Sequence, residues 1–162
     1  FGMEYKYKEI KNFLPKEQFK SLQDLMFSNT FPWFFQPHQT KNDGYFMSHN
    51  FFYDNKPNSI FYEDYIVSII QRLKVNMVSE VRANLLFKTA KHIKSDFHVD
   101  KPFYCNTALL YMNTNNGYTM LKNKIKIKAE ENKLLIIDTK TPHAAVSQTD
   151  RDRRIVINLN YL

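Results

Sequence analysis

Cysteine, glycine and long apolar runs are all scarce in this sequence of 162 residues. The one cysteine, Cys105, has no partner for a disulfide within the sequence, and it excludes a cysteine-rich zinc site. Such cysteine usage suits a reducing cytoplasm. Because Cys105 stands beside aromatic residues, we interpret it as a small buried hydrophobe rather than a nucleophile.

The three glycines stand at positions 2, 44 and 117, which excludes both a P-loop and a dinucleotide-binding fingerprint. The longest uninterrupted aliphatic run is Leu134 to Ile137, whereas a membrane-spanning helix needs about 20 apolar residues. The first residues, FGMEYKY, lack the apolar core of a signal peptide. We therefore expect a soluble, cytoplasmic protein with no membrane partner.

Positive charge is abundant, with a formal net charge of +7 at pH 7. One interpretation is an anionic partner, nucleic acid included. The other, which we favour, is a lysine-rich solvated surface, because the lysines are scattered along the chain. The densest patch, KNKIKIK at 122–128, alternates lysine with apolar residues and is typical of a strand with one face in water.

Apolar residues make up 43% of the sequence, with 14 Phe and 10 Tyr, so the chain can build a packed core. Its length predicts one domain over residues 1–162, with N-terminal helices and an aromatic loop over about 3–76 and a β core over about 77–162. In the N-terminal part, LPKEQFKSLQDLMF predicts a helix with Pro15 in its first turn. A second helix follows a capping Ser59 and carries one apolar stripe: Tyr62, Ile66, Ile69, Ile70 and Leu73.

Residues 30–58 are rich in aromatics, proline and asparagine and predict a long loop with short strands. From about residue 77 the sequence changes to short β-favouring segments, including VRANLLFKT, FHVD, TALLYMN, KLLIID and RRIVINLNYL, separated by turn-formers such as NTNNG and TKTP. Short strands that follow helices predict a mainly β fold, a jelly-roll or double-stranded β-helix core with the N-terminal helices on one outer face.

One short motif, DFHVD at 96–100, carries metal-binding chemistry. On a strand, His98 and Asp100 project from the same face. An imidazole and a carboxylate together suit Fe(II), whose facial triad needs one further histidine and leaves three positions open. A bare HxD pair also arises by chance, so the third ligand decides the interpretation.

The remaining histidines are His38, His49, His92 and His143. His92 lies in a lysine-rich turn close to the motif, while His38 and His49 lie in the aromatic loop ahead of the strands. Only His143 opens a later strand, HAAV, which can return beside the first. We therefore select His143, against the alternative of a hydrogen-bonded loop histidine.

Arg154 begins the last apolar segment, RIVINLNYL. If it shares a face with Val156, Asn158 and Asn160, that strand points polar groups into the barrel. Burying an arginine without an anion is costly, and a dicarboxylate ligand would satisfy it bidentately. The alternative is that this face is outside and that Arg153 and Arg154 are solvated.

Taken in order, FHVD, LLYMN, NNGYT, PHAAV and RRIVINLNY resemble the Fe(II)/2-oxoglutarate-dependent oxygenases, most closely the prolyl-4-hydroxylase-like branch, over about residues 82–161. The resemblance implies three catalytic metal ligands: His98, Asp100 and His143. It implies cosubstrate-binding residues as well: Arg154, Tyr111, Thr119 and Asn84. The departures are Lys88, which stands near the place of a family tyrosine, and a longer spacing that leaves Arg153 as a fallback for Arg154. Asn160 replaces the second arginine of the nucleobase-repair branch and argues against that branch.

The activity that the resemblance implies is that of a dioxygenase using Fe(II), 2-oxoglutarate and O2 to hydroxylate a C–H bond. Our first hypothesis for the substrate is a peptide or protein, hydroxylated on a prolyl residue. The aromatic stretch 31–53 would then be a lid or groove, or else ordinary core. The alternatives are a small metabolite or nucleic acid as substrate, and a jelly-roll binding module without catalysis.

Overall fold

Strands dominate residues 6–38 and 44–162, the parts of the chain that the computed structural model describes. Helix α1 is Lys16–Phe27, and helix α2, Val67–Leu73, directly continues a π-helical turn, Tyr62–Ile66. The strands are β1 (Tyr7–Ile10), β2 (Phe34–Gln36), β3 (Phe46–Tyr53), β4 (Lys56–Pro57), β5 (Val78–Phe87), β6 (Asn106–Tyr111), β7 (Tyr118–Leu121), β8 (Lys126–Lys128), β9 (Lys133–Asp138), β10 (His143–Val146) and β11 (Arg153–Tyr161). No helix in these two ranges is long and apolar enough to cross a membrane.

The strands form two antiparallel sheets. The large sheet has eight strands in the order β1-β9-β6-β11-β5-β3-β2, with β4 paired to β3, and the small sheet has the order β10-β7-β8. Isolated bridges from Lys94 to Val146 and from His98 to His143 place residues 94–98 along the other edge of β10. The predicted mainly β, jelly-roll fold is confirmed.

Two apolar layers result from the alternation of side chains along the strands of the large sheet. One face joins the helices in a buried cluster that includes Phe19, Leu22, Met26, Ile66, Ile69, Val81, Leu85, Leu110, Ile155, Ile157 and Leu159. The opposite face contributes to a smaller cluster with the small sheet: Leu109, Tyr111, Leu121, Ile127, Ala129, Leu135, Ile137 and Val156. The site described below lies on this second face. Cys105 is fully buried, as predicted.

Both predicted helices form, with different starts. Pro15 has an extended backbone at the N-cap of α1, so it precedes the helix and does not lie in the first turn. Ser59 accepts a hydrogen bond from the Phe61 N–H at 3.1 Å, but the chain then forms the π-helical turn before α2 begins. Helix α2 ends at Leu73 because Lys74 adopts the left-handed conformation.

The predicted strand at FHVD is reduced to a single bridge at His98. Pro102 follows closely, and since proline has no N–H to donate, it does not extend a ladder. The aromatic stretch 31–53 forms β2 and β3, and β3 joins the large sheet through β5. Its rings divide into buried Phe31, Phe46 and Phe51 and exposed Phe34, Phe35 and Tyr45. Residues 39–43 of that stretch lie outside the described ranges.

Candidate metal centre

Three potential metal ligands converge where residues 94–98 meet β10. The His98 and His143 rings have centroids 4.6 Å apart, and the Nε2 atom of each lies 3.4 Å from Oδ1 of Asp100. One ligand atom from each of the three residues lies within 4.8 Å of the others. The structure thus brings together the three residues that the sequence analysis selected.

Both imidazole rings are oriented by hydrogen bonds to backbone carbonyls. Nδ1 of His98 contacts the carbonyl oxygen of Asp96 at 3.2 Å, and Nδ1 of His143 contacts that of Thr141 at 3.2 Å. Because a carbonyl oxygen only accepts, each Nδ1 carries the proton and donates. Each Nε2 therefore faces Asp100, to which it donates a hydrogen bond when it is protonated, and it offers a lone pair to a metal when it is not.

The Asp100 carboxylate is held by two asparagines of β11. Oδ2 accepts hydrogen bonds from Nδ2 of Asn158 at 3.0 Å and of Asn160 at 3.4 Å, while Oδ1 is buried with no hydrogen-bond donor in the described ranges. Burial alone raises the pKa of the Asp100 carboxyl, but His143, His98 and Asn158 outweigh it and hold the pKa well below its usual range.

Two imidazole Nε2 atoms and a carboxylate oxygen therefore point at one small space. A proton on the imidazoles or a metal cation between the three groups balances the charge of the carboxylate. The ligands are two nitrogens and one oxygen, which is the donor set of the facial triad that binds Fe(II) in oxygenases. The residues present fit a divalent transition metal.

A cavity of about 330 Å³ opens beside these ligands, between the two sheets. Its polar lining includes His98, His143, Arg154, Thr119, Asn84, Asn158, Ser95 and Ser147, and its apolar lining includes Leu86, Leu109, Ala144, Ala145 and Val156. The mouth carries exposed Tyr45, Phe87 and Ile93. One cavity therefore joins the metal ligands to the predicted anion-binding arginine.

Arg154 is 2% exposed. Its Nη1 donates to the carbonyl oxygens of Val146 at 2.7 Å and Tyr118 at 3.3 Å, and its Nε is buried with no partner in residues 6–38 and 44–162. Burial lowers the pKa of the Arg154 guanidinium. A buried guanidinium that faces a cavity and forms no ion pair with the described side chains is costly, and a carboxylate in the cavity would offset that cost.

Gly117 makes room for this guanidinium. A Cβ at position 117 would lie 2.9 Å from Arg154 Nη1, 2.9 Å from Asn115 Oδ1 and 2.9 Å from the Val146 carbonyl oxygen. The Gly117 N–H also donates to Asn115 Oδ1 at 2.9 Å. Any side chain at this position would displace the arginine or the carbonyl that holds it.

The other predicted cosubstrate residues lie on the same inner face, but Tyr111 is fully buried and does not line the cavity. Thr119 and Asn84 line the cavity, and Oδ1 of Asn84 is buried without a hydrogen-bond partner in the described chain. The Tyr111 hydroxyl reaches Thr119 Oγ1 at 2.7 Å from within the core. Burial raises the pKa of Tyr111 to about 12, so its hydroxyl stays protonated at neutral pH and can donate.

Arg153, the fallback for Arg154, lies on the opposite face of β11. Its guanidinium stacks over the Phe27 ring at 4.8 Å, and its Nη1 donates to the Phe27 carbonyl oxygen at 3.3 Å. The structure therefore places Arg154, and not Arg153, in the cavity.

The histidines that the sequence analysis set aside have other surroundings. His49 is buried between Phe31 and Phe51, and its ring nitrogens bond to the Pro32 carbonyl oxygen at 2.8 Å and Ser59 Oγ at 2.7 Å. His92 bonds to the carbonyl oxygen of Ser147 at 2.7 Å.

Three site residues had no assigned role before the structure: Asn158, Asn160 and Gly117. The alternation from Arg154 placed both asparagines on the inner face, and this was the available signal for their contact with Asp100. Gly117 is one of only three glycines, which marked it without showing what approaches it.

Comparison with solved structures supports the fold. The chain is similar to an oxidoreductase of the 2OG-Fe(II) oxygenase family from Burkholderia pseudomallei, with a TM-score of 0.74 at 8% identity over 96% of this chain and 84% of that one. It is also similar to a Trichoplax adhaerens prolyl hydroxylase, solved with a hypoxia inducible factor peptide fragment, with a TM-score of 0.64 at 17% identity over 96% and 83%.

A third similar structure is the non-heme alpha ketoglutarate dependent epimerase SnoN from nogalamycin biosynthesis, with a TM-score of 0.67 at 10% identity over 96% of this chain and 78% of that one. No family model matches the sequence, and no curated protein matches it either. At these identities the likeness establishes the fold that the neighbours share.

Proposed function

We propose that this protein is an Fe(II)- and 2-oxoglutarate-dependent dioxygenase that hydroxylates a C–H bond. The observation that carries the proposal is the convergence of two imidazole Nε2 atoms and the Asp100 carboxylate on one point, beside a cavity that contains a buried arginine. Fe(II), 2-oxoglutarate and O2, when bound, supply the oxidising chemistry. His98, Asp100 and His143 would hold the iron.

The protein's own residues orient the reactants. Asn158 and Asn160 fix the carboxylate of Asp100 through its Oδ2, which leaves Oδ1 directed at the metal position. Arg154 would bind the far carboxylate of 2-oxoglutarate, and the Thr119 hydroxyl, polarised by Tyr111, would donate a further hydrogen bond. Apolar walls at Leu109 and Val156 exclude water and strengthen both interactions.

For the substrate we propose a prolyl residue within a peptide. Three exposed rings form a row on the surface: the Tyr45 ring centroid lies 5.9 Å from that of Phe35 and 5.8 Å from that of Phe87. Tyr45 and Phe87 border the cavity mouth. Exposed aromatic rings at an opening offer an apolar surface to an incoming chain. The prolyl hydroxylase with similar architecture, solved with a peptide, supports this assignment.

A small-molecule substrate is the second candidate. The cavity volume of about 330 Å³ falls within the range of pockets that enclose small ligands. The epimerase SnoN, which has a similar fold, is an enzyme of nogalamycin biosynthesis.

Incubation of the iron-loaded protein with 2-oxoglutarate, oxygen and proline-containing peptides tests the proposal. We expect succinate to form and one peptide to gain the mass of one oxygen atom. Succinate without any peptide gain would favour the small-molecule candidate. Absence of succinate under all these conditions would contradict the proposed activity.

A further inference from the structure

A second groove, of about 580 Å³, lies where β2, β3 and β5 meet the segment that precedes α2. We call it the Arg82 groove. It is lined by Thr30, Pro32, Phe34, Gln36, Ser48, His49, Asn50, Asn58, Ser59, Ile60, Phe61 and Arg82. Nothing in the proposed chemistry uses this groove.

Sheet register connects the Arg82 groove to the metal centre. Asn158 of β11 pairs with Arg82 of β5, and Arg82 pairs with Asn50 of β3, so the three residues form one row across the inner face. Asn158 is also the residue whose amide donates to Asp100. Arg82 therefore stands one strand away from a residue that touches a metal ligand, a separation of about 4.8 Å between strands.

Arg82 is half-buried, and its guanidinium has no acidic partner in the described chain. It forms no hydrogen bond or ion pair with any residue of 6–38 or 44–162. Its Cζ lies over the Phe46 ring, 5.9 Å from the ring centroid. No aspartate or glutamate of the described chain lines the groove. A guanidinium without an acidic partner is available to bind an incoming carboxylate through paired hydrogen bonds.

The other lining groups suit an extended chain. Oδ1 of Asn50 is buried with no hydrogen-bond partner in the described residues, so it can accept a bond that the protein does not supply. Phe34 and Ile60, which are 60% and 87% exposed, offer apolar surface at the groove. An extended chain advances about 3.3 Å per residue, so a side chain a few residues from the metal centre reaches Arg82.

We propose that the Arg82 groove binds an acidic residue of a peptide substrate, close in sequence to the residue that is hydroxylated. This inference rests on the proposed function for the position of the reacting residue, while binding in the groove itself needs neither iron nor 2-oxoglutarate. Arg82 is on this account a residue that determines specificity, and it takes no part in the oxidation.

The test measures binding of fluorescein-labelled peptides to metal-free protein by fluorescence anisotropy. Each peptide carries a single proline, with aspartate, asparagine or lysine at each flanking position in turn. In wild type we expect aspartate at one position to bind about tenfold more tightly than asparagine there, the worth of a charge-assisted hydrogen bond. Arg82→Gln should abolish that preference. Arg82→Glu should bind the peptide with lysine at that position more tightly than the peptide with aspartate.

Arg72→Gln is the matched control. Arg72 also contacts an aromatic ring, that of Phe13 at 5.7 Å, and its replacement changes the net charge by the same amount, but it lies on α2. The aspartate preference should persist in this variant, which separates a contact in the groove from a general effect of positive charge.

Any of three results would overturn the proposal. Wild type could fail to distinguish aspartate from asparagine at every position, or it could bind none of the peptides. The third result is an aspartate preference that survives in Arg82→Gln. The same peptides, assayed for gain of oxygen by the iron-loaded enzyme, keep the two proposals separate. Hydroxylation without an aspartate preference would retain the enzyme and reject the groove. An Arg82-dependent preference without hydroxylation would retain the groove and reject the proposed activity.

Discussion

His98 and His143 exchange a pair of backbone hydrogen bonds, each 3.0 Å long, from the N–H of one to the carbonyl oxygen of the other. The spacing of their rings is therefore set by these main-chain bonds, and also by the hydrogen bonds from each ring to the backbone carbonyl oxygen of Asp96 or Thr141. A site fixed in this way is formed before the metal arrives, and it needs little rearrangement to bind.

The Asp100 carboxylate should stabilise the metal-free protein and should also be needed for the stabilisation that Fe(II) gives. Because the pKa of Asp100 is held well below its usual range, the metal-free protein favours the ionised carboxylate, and Asp100→Asn should lower the melting temperature of the metal-free protein. The rise in melting temperature that Fe(II) gives to wild type should vanish in the variant. Anaerobic differential scanning fluorimetry measures both. Asp138→Asn, outside the metal centre, is the control and should keep the metal-dependent rise.

Alanine at position 117 should weaken cosubstrate binding without affecting the metal. The new Cβ would lie 2.9 Å from Arg154 Nη1, so the guanidinium has to move. We expect Gly117→Ala to raise the Kd of 2-oxoglutarate about tenfold or more, with the Fe(II) affinity unchanged. Gly44→Ala is the control, since a Cβ there would meet nothing within 4 Å. Equal effects of the two substitutions would contradict the role assigned to Gly117.

The two adjacent arginines of β11 should differ sharply in function. Arg154→Gln removes a buried cation from the cavity and should raise the KM for 2-oxoglutarate about a hundredfold, which corresponds to about 2.7 kcal/mol for a charge-assisted bidentate contact. Arg153→Gln changes a residue that packs on Phe27 and should leave this KM unaltered. Steady-state assays of succinate formation compare them, and a larger effect from Arg153 would refute the assignment.

His49 should make folding stability depend on pH. Burial lowers the pKa of His49 below its ordinary value of 6.5, so the unfolded chain binds a proton at a pH where the folded protein does not. Its contribution to the free energy of unfolding is complete above pH 6.5 and declines as the pH falls towards the folded-state pKa. Urea unfolding of wild type and His49→Phe at a series of pH values measures this. The variant should be less stable at pH 7 and should show a shallower decline on acidification; parallel curves would show that His49 contributes nothing.

The fold and the three candidate metal ligands followed from local rules. Residues i and i+2 of an extended segment share a face, which paired His98 with Asp100 although FHVD forms only a bridge, and the strand after the turn DTKTP supplied His143. The alternation along RIVINLNYL placed Arg154 on the inner face. Each of these inferences needs only the residue types within a short segment and the periodicity of a strand. The extent of a single domain over residues 1–162 stays a prediction.

Other features depend on pairings between distant segments, which a single sequence does not specify. Asn158 contacts Asp100 because β11 packs against the segment that contains Asp100, which comes much earlier in the chain. Arg82 belongs to the site region only through its register with Asn158, and Gly117 matters only because Arg154 arrives beside it. The π-helical turn before α2 likewise has no signal in the apolar stripe, which predicts one continuous helix.

Anaerobic titration of the protein with Fe(II) and 2-oxoglutarate tests the central claim most directly, by the weak visible charge-transfer band of the metal chelate. The account predicts a band in wild type and in Arg153→Ala, no band in His98→Ala, and a much weaker band in Arg154→Ala at the same 2-oxoglutarate concentration. Absence of the band in wild type at saturating iron and 2-oxoglutarate would contradict the account, and the jelly roll would then be a binding module without this chemistry.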